Sequence, residues 1–211
     1  MDILGLYNYQ GSDSKNYLAF STIKFTDFGF HHNESTVYKF SLDSNKVVYH
    51  RKLDTLRYGE AHLLSASQNK FWLSGNPAVA LNESNGDVLV RIPSPTNNYS
   101  GYIYEYNNKV ILTTDGTVYG FDANSGSQVW KADGKDADLA SRLVFGKGVI
   151  YYTNEKLHAV DAETGATIWN DISPDYNRSI QNFTDGISID STTNRIYTAT
   201  YYSAICYKAA R

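Results

Sequence analysis

The sequence predicts an all-β chain assembled from copies of one small antiparallel sheet, and three observations carry that prediction. First, a phrase recurs at a period near 40: DANSGSQVW at 122–130 and DAETGATIW at 161–169. NESNGDVLV at 82–90 and SLDSNKVVY at 41–49 fill the same slots without gaps, which separates Asn45, Gly86, Gly126 and Gly165 by steps of 41, 40 and 39 residues. A fixed period of this size marks one supersecondary unit copied along the chain. Second, the segments between phrases alternate in character, as Tyr102, Tyr104 and Tyr106 do with their neighbours, which is the period of a half-buried strand. Third, helical spacing of apolar residues is nowhere sustained, and Val, Ile, Thr and Tyr dominate the apolar runs.

Each copy reads as four short strands. In the third, 101–107 is followed by an Asn-Asn turn, then by 109–114, a tight Asp115-Gly116 reversal, 117–122 and 127–132. The fourth repeats this with 140–145, 149–153, 157–161 and 166–171. The copies span residues 17–53, 61–92, 101–132, 140–171 and 187–211, the last ending before a fourth strand. Residues 17–24 are expected as the inner strand of the first copy, and 2–9, one repeat earlier, as an outer strand. A lone four-stranded sheet cannot bury both faces, so the copies must stack, most economically around an axis. The architecture expected is a single β-propeller domain or segment of four-stranded antiparallel blades over 1–211, with about five blade equivalents. Residues 2–9 could complete the last blade and close a five-blade ring; the alternative is an open arc of a larger propeller of about seven or eight blades.

The repeated phrase has a physical reading. An Asp or Asn at the end of the third strand accepts hydrogen bonds from backbone N–H groups of the turn that follows. The Gly falls where a left-handed backbone is needed, and Asn45 is the next-best residue there. Ser125 and Thr164, just before it, can bond the turn through their hydroxyls. Trp130 and Trp169 then project from the outer strand, where a large flat side chain can cover a neighbouring unit.

The segment Ala159-Val160-Asp161-Ala162-Glu163-Thr164-Gly165, with Trp169 four places on, resembles the tryptophan-docking motif of pyrroloquinoline-quinone-like (PQQ-like) β-propeller repeats. The segment 120–130 is nearly as close. The resemblance implies that each motif docks one blade on the next, and it assigns that structural role to Asp122, Gly126, Trp130, Asp161, Gly165 and Trp169. Earlier copies depart from the pattern: Tyr49 and Val90 stand in the Trp slot, Ser41 and Asn82 in the Asp slot. In the fifth copy Lys208 takes the Asp slot. The resemblance also implies a periplasmic or cell-envelope setting, and it allows PQQ with calcium as a cofactor. Quinone-dependent dehydrogenases with this repeat carry a vicinal Cys pair, a Ca²⁺ site and a catalytic acid. This chain has one Cys and cannot supply the pair, so no bound cofactor is expected.

Composition agrees with a soluble globular domain. With 19 Lys and Arg against 22 Asp and Glu, a net charge of −3, the chain has no electrostatic footprint for nucleic acid or an anionic membrane. No stretch reaches the ~18 apolar residues of a membrane-spanning helix, and the N-terminal residues lack the charge-then-apolar pattern of a signal peptide. Five Asn-x-Ser/Thr sequons, at Asn33, Asn82, Asn98, Asn177 and Asn182, would mark glycosylation only in a eukaryotic secreted chain.

Catalytic constellations are scarce. His31-His32 with Glu34 could suggest a metal, but adjacent strand residues point to opposite faces and no partner His is spaced to help. The acid-rich loop 133–138 lacks the terminal bidentate Glu and the spacing of an EF-hand. Cys206, in a strand reading AICY, is expected to be buried as a small apolar residue. No catalytic, cofactor-binding or metal-ligating residue is assigned.

What remains is surface. The connections from outer to inner strand lie on one face of a propeller, and here 54–60, 93–100, 133–138 and 173–186 are long and unlike one another. The longest carries Tyr176, Arg178 and Phe183, residue types enriched where proteins bind partners. Arg57, Tyr58 and Tyr99 fall on the same face. The reading is a non-catalytic binding or assembly scaffold that presents loops to a protein partner. The alternatives are a fragment of a quinoprotein dehydrogenase, or a sensor or carbohydrate-binding ectodomain.

Overall fold

The computed structural model describes residues 2–25, 33–53, 63–67, 69–96, 101–132, 142–174 and 183–211. Every regular element among them is a β-strand, and the strands form five antiparallel sheets. The first sheet contains β1 (Asp2–Gln10), β2 (Asn16–Phe25), β3 (Asn33–Ser41) and β4 (Lys46–Leu53), in that order. The second contains β5 (Leu63–Ser67), β6 (Lys70–Leu73), β7 (Ala78–Asn82) and β8 (Val88–Ile92). The third contains β9 (Ile103–Tyr106), β10 (Lys109–Thr114), β11 (Thr117–Asp122) and β12 (Gln128–Lys131). The fourth contains β13 (Val144–Gly146), β14 (Val149–Thr153), β15 (Lys156–Asp161) and β16 (Thr167–Ile172). The fifth has three strands, β17 (Phe183–Asp190), β18 (Arg195–Thr200) and β19 (Ala204–Lys208).

The strand plan expected from the phrase is observed in the third and fourth copies, while the N-terminal expectation is corrected. Residues 2–9 do not serve as the fourth strand of another blade: β1 pairs antiparallel with β2, from Asp2↔Ile23 to Gln10↔Asn16, and is the first strand of the first sheet. Residues 17–24 accordingly lie in the second strand, not the inner one. The cause is local. Gly11 and Lys15 close a short turn (Gly11 N to Lys15 O, 2.9 Å) with Ser14 at φ 64°, so pairing with the next strand needs little loop-closure entropy.

The third–fourth strand pairings share an irregularity. The register slips between Lys39 and Phe40, between Ala80 and Leu81, and between Ala159 and Val160, two residues before the end of each third strand. These are β-bulges, which bend the strand and re-aim side chains. The residue just before each slip faces Tyr49, Val90 or Trp169 on the fourth strand.

The described chain divides into two compact units, Met1–Thr114 with Phe121–Ser127, and Asp115–Gly120 with Gln128–Arg211. In the first, Ala19, Val37 and Leu53 of the first sheet pack with Phe71, Leu73, Val79 and Leu81 of the second, flanked by Tyr7, Tyr9, Tyr49 and Val88. In the second, Val149, Tyr151, Leu157 and Ala159 pack with Phe183, Ile187, Ile196 and Ala209.

A charged pair lies beside the first core. Lys39 on β3 and Glu83, just after β7, are each 5% exposed and form a salt bridge. Lys39 Nζ also donates to the Glu83 carbonyl oxygen (3.3 Å) and stands 3.9 Å from the centroid of the Tyr17 ring. The Tyr9 hydroxyl donates to Glu83 Oε1 at 2.7 Å. Burial, then the bond to Glu83, pushes the Tyr9 phenol well above its ordinary value; burial and the Glu83 charge do the same to Tyr49. Each carboxylate or ammonium taken from water here is compensated by a partner, and removing only one leaves the other stranded.

Replacing Lys39→Met alone is therefore expected to lower unfolding free energy by about 3–5 kcal/mol, and Lys39→Met with Glu83→Leu by markedly less. Urea unfolding of the three proteins checks this; equal losses in the single and double variants would contradict it.

Candidate functional site

The recurring turn is built the same way in each copy that carries the phrase. Asp122 Oδ1 accepts from Asn124 N (3.0 Å), Ser125 N (2.7 Å) and Ser125 Oγ (3.0 Å). Asp161 Oδ1 accepts from Glu163 N (3.0 Å), Thr164 N (2.9 Å) and Thr164 Oγ1 (3.0 Å). Asn82 Oδ1 takes Ser84 N and Ser84 Oγ. Gly86, Gly126 and Gly165 each donate N–H to the carbonyl four residues earlier at 2.9 Å, with φ of 76°, 72° and 74°. Asn45 occupies the same conformation at φ 54°.

Each of these glycines lies under a fourth-strand side chain of the preceding sheet. A Cβ on Gly165 would stand 2.6 Å from the Trp130 ring. The same ring covers Gly120 on β11, where a Cβ would be 2.2 Å away, so the indole is sandwiched between two glycines. Trp130 is 8% exposed, and its Nε1 has no acceptor among the described residues. Tyr49 covers Gly86 (2.6 Å), and Arg91 O with Val90 and Ile92 covers Gly126 (3.0 Å to the carbonyl oxygen). The geometry therefore does not require Trp: Tyr49 and Val90, departures from the repeat pattern, sit in the same place.

Trp169 stacks on Tyr207 of β19 (centroids 6.1 Å, 27°) and lies 6.3 Å from Tyr151. Asp161 accepts from Arg211 Nη2 at 2.8 Å. Partial burial works against the Asp161 charge, but the Arg211 guanidinium and the Thr164 and Glu163 hydrogen bonds outweigh it, and its carboxyl is held below the usual range. Hydrogen bonds from Ser125, then Asn124, hold Asp122 down likewise. Asp190 is held down by Thr193 and Thr192 in an equivalent turn between β17 and β18. The bond to Asp13 pushes the Tyr17 phenol up to about 12, and burial pushes Tyr207 up to about 12.

Of the expected partner surface, Arg57, Tyr58, Tyr99, Tyr176 and Arg178 lie outside the described residues, as do His31, His32 and the loop 133–138. Phe183 is a correction. It opens β17, is 3% exposed and belongs to the core with Ile187 and Ile196, so it is closed to a partner. Cys206 is the second correction: it is exposed, because Ile205 and Tyr207, its neighbours in a strand, take the core side. Sequence reasoning missed Tyr201 and Tyr202, 71% and 50% exposed in the turn between β18 and β19. Phe183 pairs with Thr200, so this turn is at the end of the sheet where the connection 173–182 enters. Two bulky aromatics in a hairpin turn, where Gly, Asn or Asp are ordinary, are the signal that could have found them.

Two other buried polar side chains are tied into the framework. His158 stacks on Tyr152 (4.6 Å, 7°) with a ring nitrogen 2.9 Å from Asn154 Oδ1, and Trp72 Nε1 donates to Glu105 Oε2 at 2.5 Å. The described residues do not fit a PQQ–calcium centre. The chain's one Cys is exposed on β19, and among the described residues no three His, Cys, Asp or Glu side chains converge as metal ligands.

Residues 33–211 match the family model PQQ_2, described as "Outer membrane protein assembly factor BamB". Over 124 residues, 57% of the chain, the sequence is 30% identical to tetrathionate hydrolase of Acidithiobacillus ferrooxidans; the match covers 24% of that protein. Among solved structures, the chain is similar to the computationally designed protein Ika8, with TM-score 0.67, 13% identity, and 98% of this chain and 70% of that one covered. It is also similar to BamB from Moraxella catarrhalis, with TM-score 0.64, 14% identity, and 99% and 62% covered. At these identities the likeness shows the fold, a β-propeller of antiparallel blades.

The shifted carboxyls and phenols set the expected pH profile. Asp122, Asp161 and Asp190 are lowered on folding, so their stabilisation is complete above the unfolded value near ~4 and is lost as pH falls through the folded values. Tyr17 and Tyr207 are raised, so theirs is complete below ~10 and is lost as pH rises toward about 12. Urea midpoints are expected to be level between these limits and to fall outside them, with a shallower acid limb in Asp161→Asn. An acid limb identical in the variant would contradict the assignment.

Proposed function

Because the chain belongs to the PQQ_2 family, we propose that it is a non-catalytic binding or assembly scaffold that presents one end of its blades to a protein partner. The observation that carries this reading is the exposed Tyr201-Tyr202 pair, at the sheet end where the longest connection enters. Tyrosine gives large contact area at small entropic cost and is enriched at protein interfaces. The residues of the recurring phrase are committed to turns and to covering glycines, which leaves the unlike connections to carry specificity. Tyr176 and Arg178, in the sequence of the longest connection, are included in the proposed surface. The family's description, an assembly factor, supports the same class of activity, and a cell-envelope setting is part of the proposal.

The test is site-specific photo-crosslinking in cells of the source organism. Benzoylphenylalanine in place of Tyr201 is expected to trap a defined protein. The same group in place of Val47, 51% exposed on β4, is expected to trap none. No adduct from position 201, or the same adducts from both positions, would overturn the reading.

A further inference from the structure

We propose that Asn85 is a site of spontaneous deamidation, gated by the Tyr49 ring that covers the next residue, and that its product loosens the first sheet from the second. Asn85-Gly86 is the one Asn-Gly pair in the chain. It falls in the recurring turn, in the slot that Ser44, Ser125 and Thr164 hold in three other copies. A hydroxyl there cannot close a ring with loss of ammonia, whereas a carboxamide can. Asn85 is exposed, and Gly86 has no side chain to shield its nitrogen. Two hydrogen bonds favour the reaction. Asn85 Oδ1 accepts from Asp87 N at 3.0 Å, which polarises Cγ and would carry the charge of an attacked carbonyl. Nδ2, the leaving nitrogen, donates to Asp87 Oδ2 at 2.9 Å. In the reaction, solvent hydroxide takes the Gly86 N–H proton and the freed nitrogen attacks Asn85 Cγ. The N–Cγ bond forms, the Cγ–Nδ2 bond breaks, and Nδ2 leaves as ammonia with a proton returned by water. Water then opens the cyclic imide. Opened at Cγ it gives aspartate; opened at the main-chain carbonyl carbon of residue 85 it gives isoaspartate, with the chain routed through Cβ and Cγ.

The gate is the covered turn itself. Gly86 N donates to Asn82 O at 2.9 Å with φ 76°, and the nitrogen must leave this bond before it can attack. Tyr49 keeps it there: its ring lies so close over Gly86 that a Cβ would stand 2.6 Å away, and its hydroxyl is directed to Asn82 O at 3.4 Å. The reaction therefore proceeds from the fraction of molecules in which the first sheet has lifted off this turn. The product acts back on the cover. Either form places a carboxylate at residue 85, between Glu83 and Asp87, where like charges repel. Isoaspartate also adds one backbone atom between Asn82 O and Gly86 N. That breaks the closing bond and displaces Gly86 from under Tyr49, in the same turn whose Glu83 holds Lys39. Opening admits the reaction, and the reaction favours opening.

The test compares the native chain, its Tyr49→Val and Asn85→Ser variants, and an acetylated, amidated peptide of residues 82–88, all kept in mildly alkaline buffer. Tyr49→Val installs the side chain that Val90 uses in this slot, and Asn85→Ser the residue of the first and third copies; urea unfolding verifies that both are folded. Tryptic mass mapping with isoaspartyl-methyltransferase labelling is expected to find the amide-to-acid mass gain at Asn85 of the native chain. Asn76 and Asn82, in the same tryptic fragment, are expected to stay intact, and Asn85→Ser to show no gain. The native rate is expected to be about tenfold below that of the peptide, and Tyr49→Val to recover at least about threefold of it. Asn85 intact after ~30 half-lives of the peptide would mean that the turn blocks the reaction, and overturns the proposal. A native rate equal to that of the peptide, or unchanged by Tyr49→Val, would mean that the cover is no gate, and overturns it too. The isoaspartate fraction, separated from the aged chain, is expected to unfold at lower urea than Asn85→Asp, which adds the charge without the extra atom. Equal midpoints would overturn the loosening of the two sheets.

Discussion

The structure depends on a left-handed glycine turn that must be left bare so that a side chain from the preceding sheet can lie on it. Gly86, Gly126 and Gly165 have φ between 72° and 76°, where only glycine is unstrained, and each is in contact with Tyr49, Val90 or Trp130. A Cβ at Gly86 or Gly165 fails twice, once through backbone strain and once through collision with the ring above it; at Gly126, beneath Val90, the strain remains and the contact is only tight. The Asp or Asn four residues earlier fixes the turn by accepting its N–H groups, and a bulge that leaves one extra residue (Leu89 or Ile168) on the fourth strand sets which of its side chains faces the third. One local rule, repeated, ties sheet to sheet without a helix or a disulfide among the described residues.

The first two copies show how far the rule bends. Two residues before the Asp slot the later copies have Ala80, Gly120 and Ala159, and the first has Lys39; one residue after it, later copies have Ala123, Ala162 and Ala209, and the second has Glu83. Charged residues in two slots that the third and fourth copies both keep small meet as the buried ion pair, covered by Tyr9 and Tyr17. Where those copies have small side chains, this junction substitutes a hydrogen-bonded network.

Most of the fold was legible in the sequence because its information is local. A turn read from Asp122 to Gly126 needs only those residues, and the period repeats the test. What was not legible depends on pairing across the chain. Residues 2–9 alternate equally well as a first or a fourth strand, and only the short Gly11–Lys15 turn decides for β2. Phe183 follows a long polar connection and reads as loop, yet a register slip between it and Ile187 carries it into the core. Cys206 could have been placed, since strand alternation with Ile205 and Tyr207 turns it outward. Arg195 and Lys208 read as two separate residues in the sequence, because they become neighbours only through the β18–β19 pairing.

The most direct test of the covered-glycine rule is a double-mutant cycle on Gly165→Ala and Trp130→Val, the latter installing the side chain that Val90 already uses in this slot. Gly165→Ala is expected to be strongly destabilising beneath the indole. In the Trp130→Val background, where only the positive-φ strain remains, it is expected to cost about 1 kcal/mol. A coupling of at least ~1 kcal/mol by urea unfolding is the predicted result. Additivity within ~0.5 kcal/mol would show that the ring does not bear on the glycine and would contradict the account.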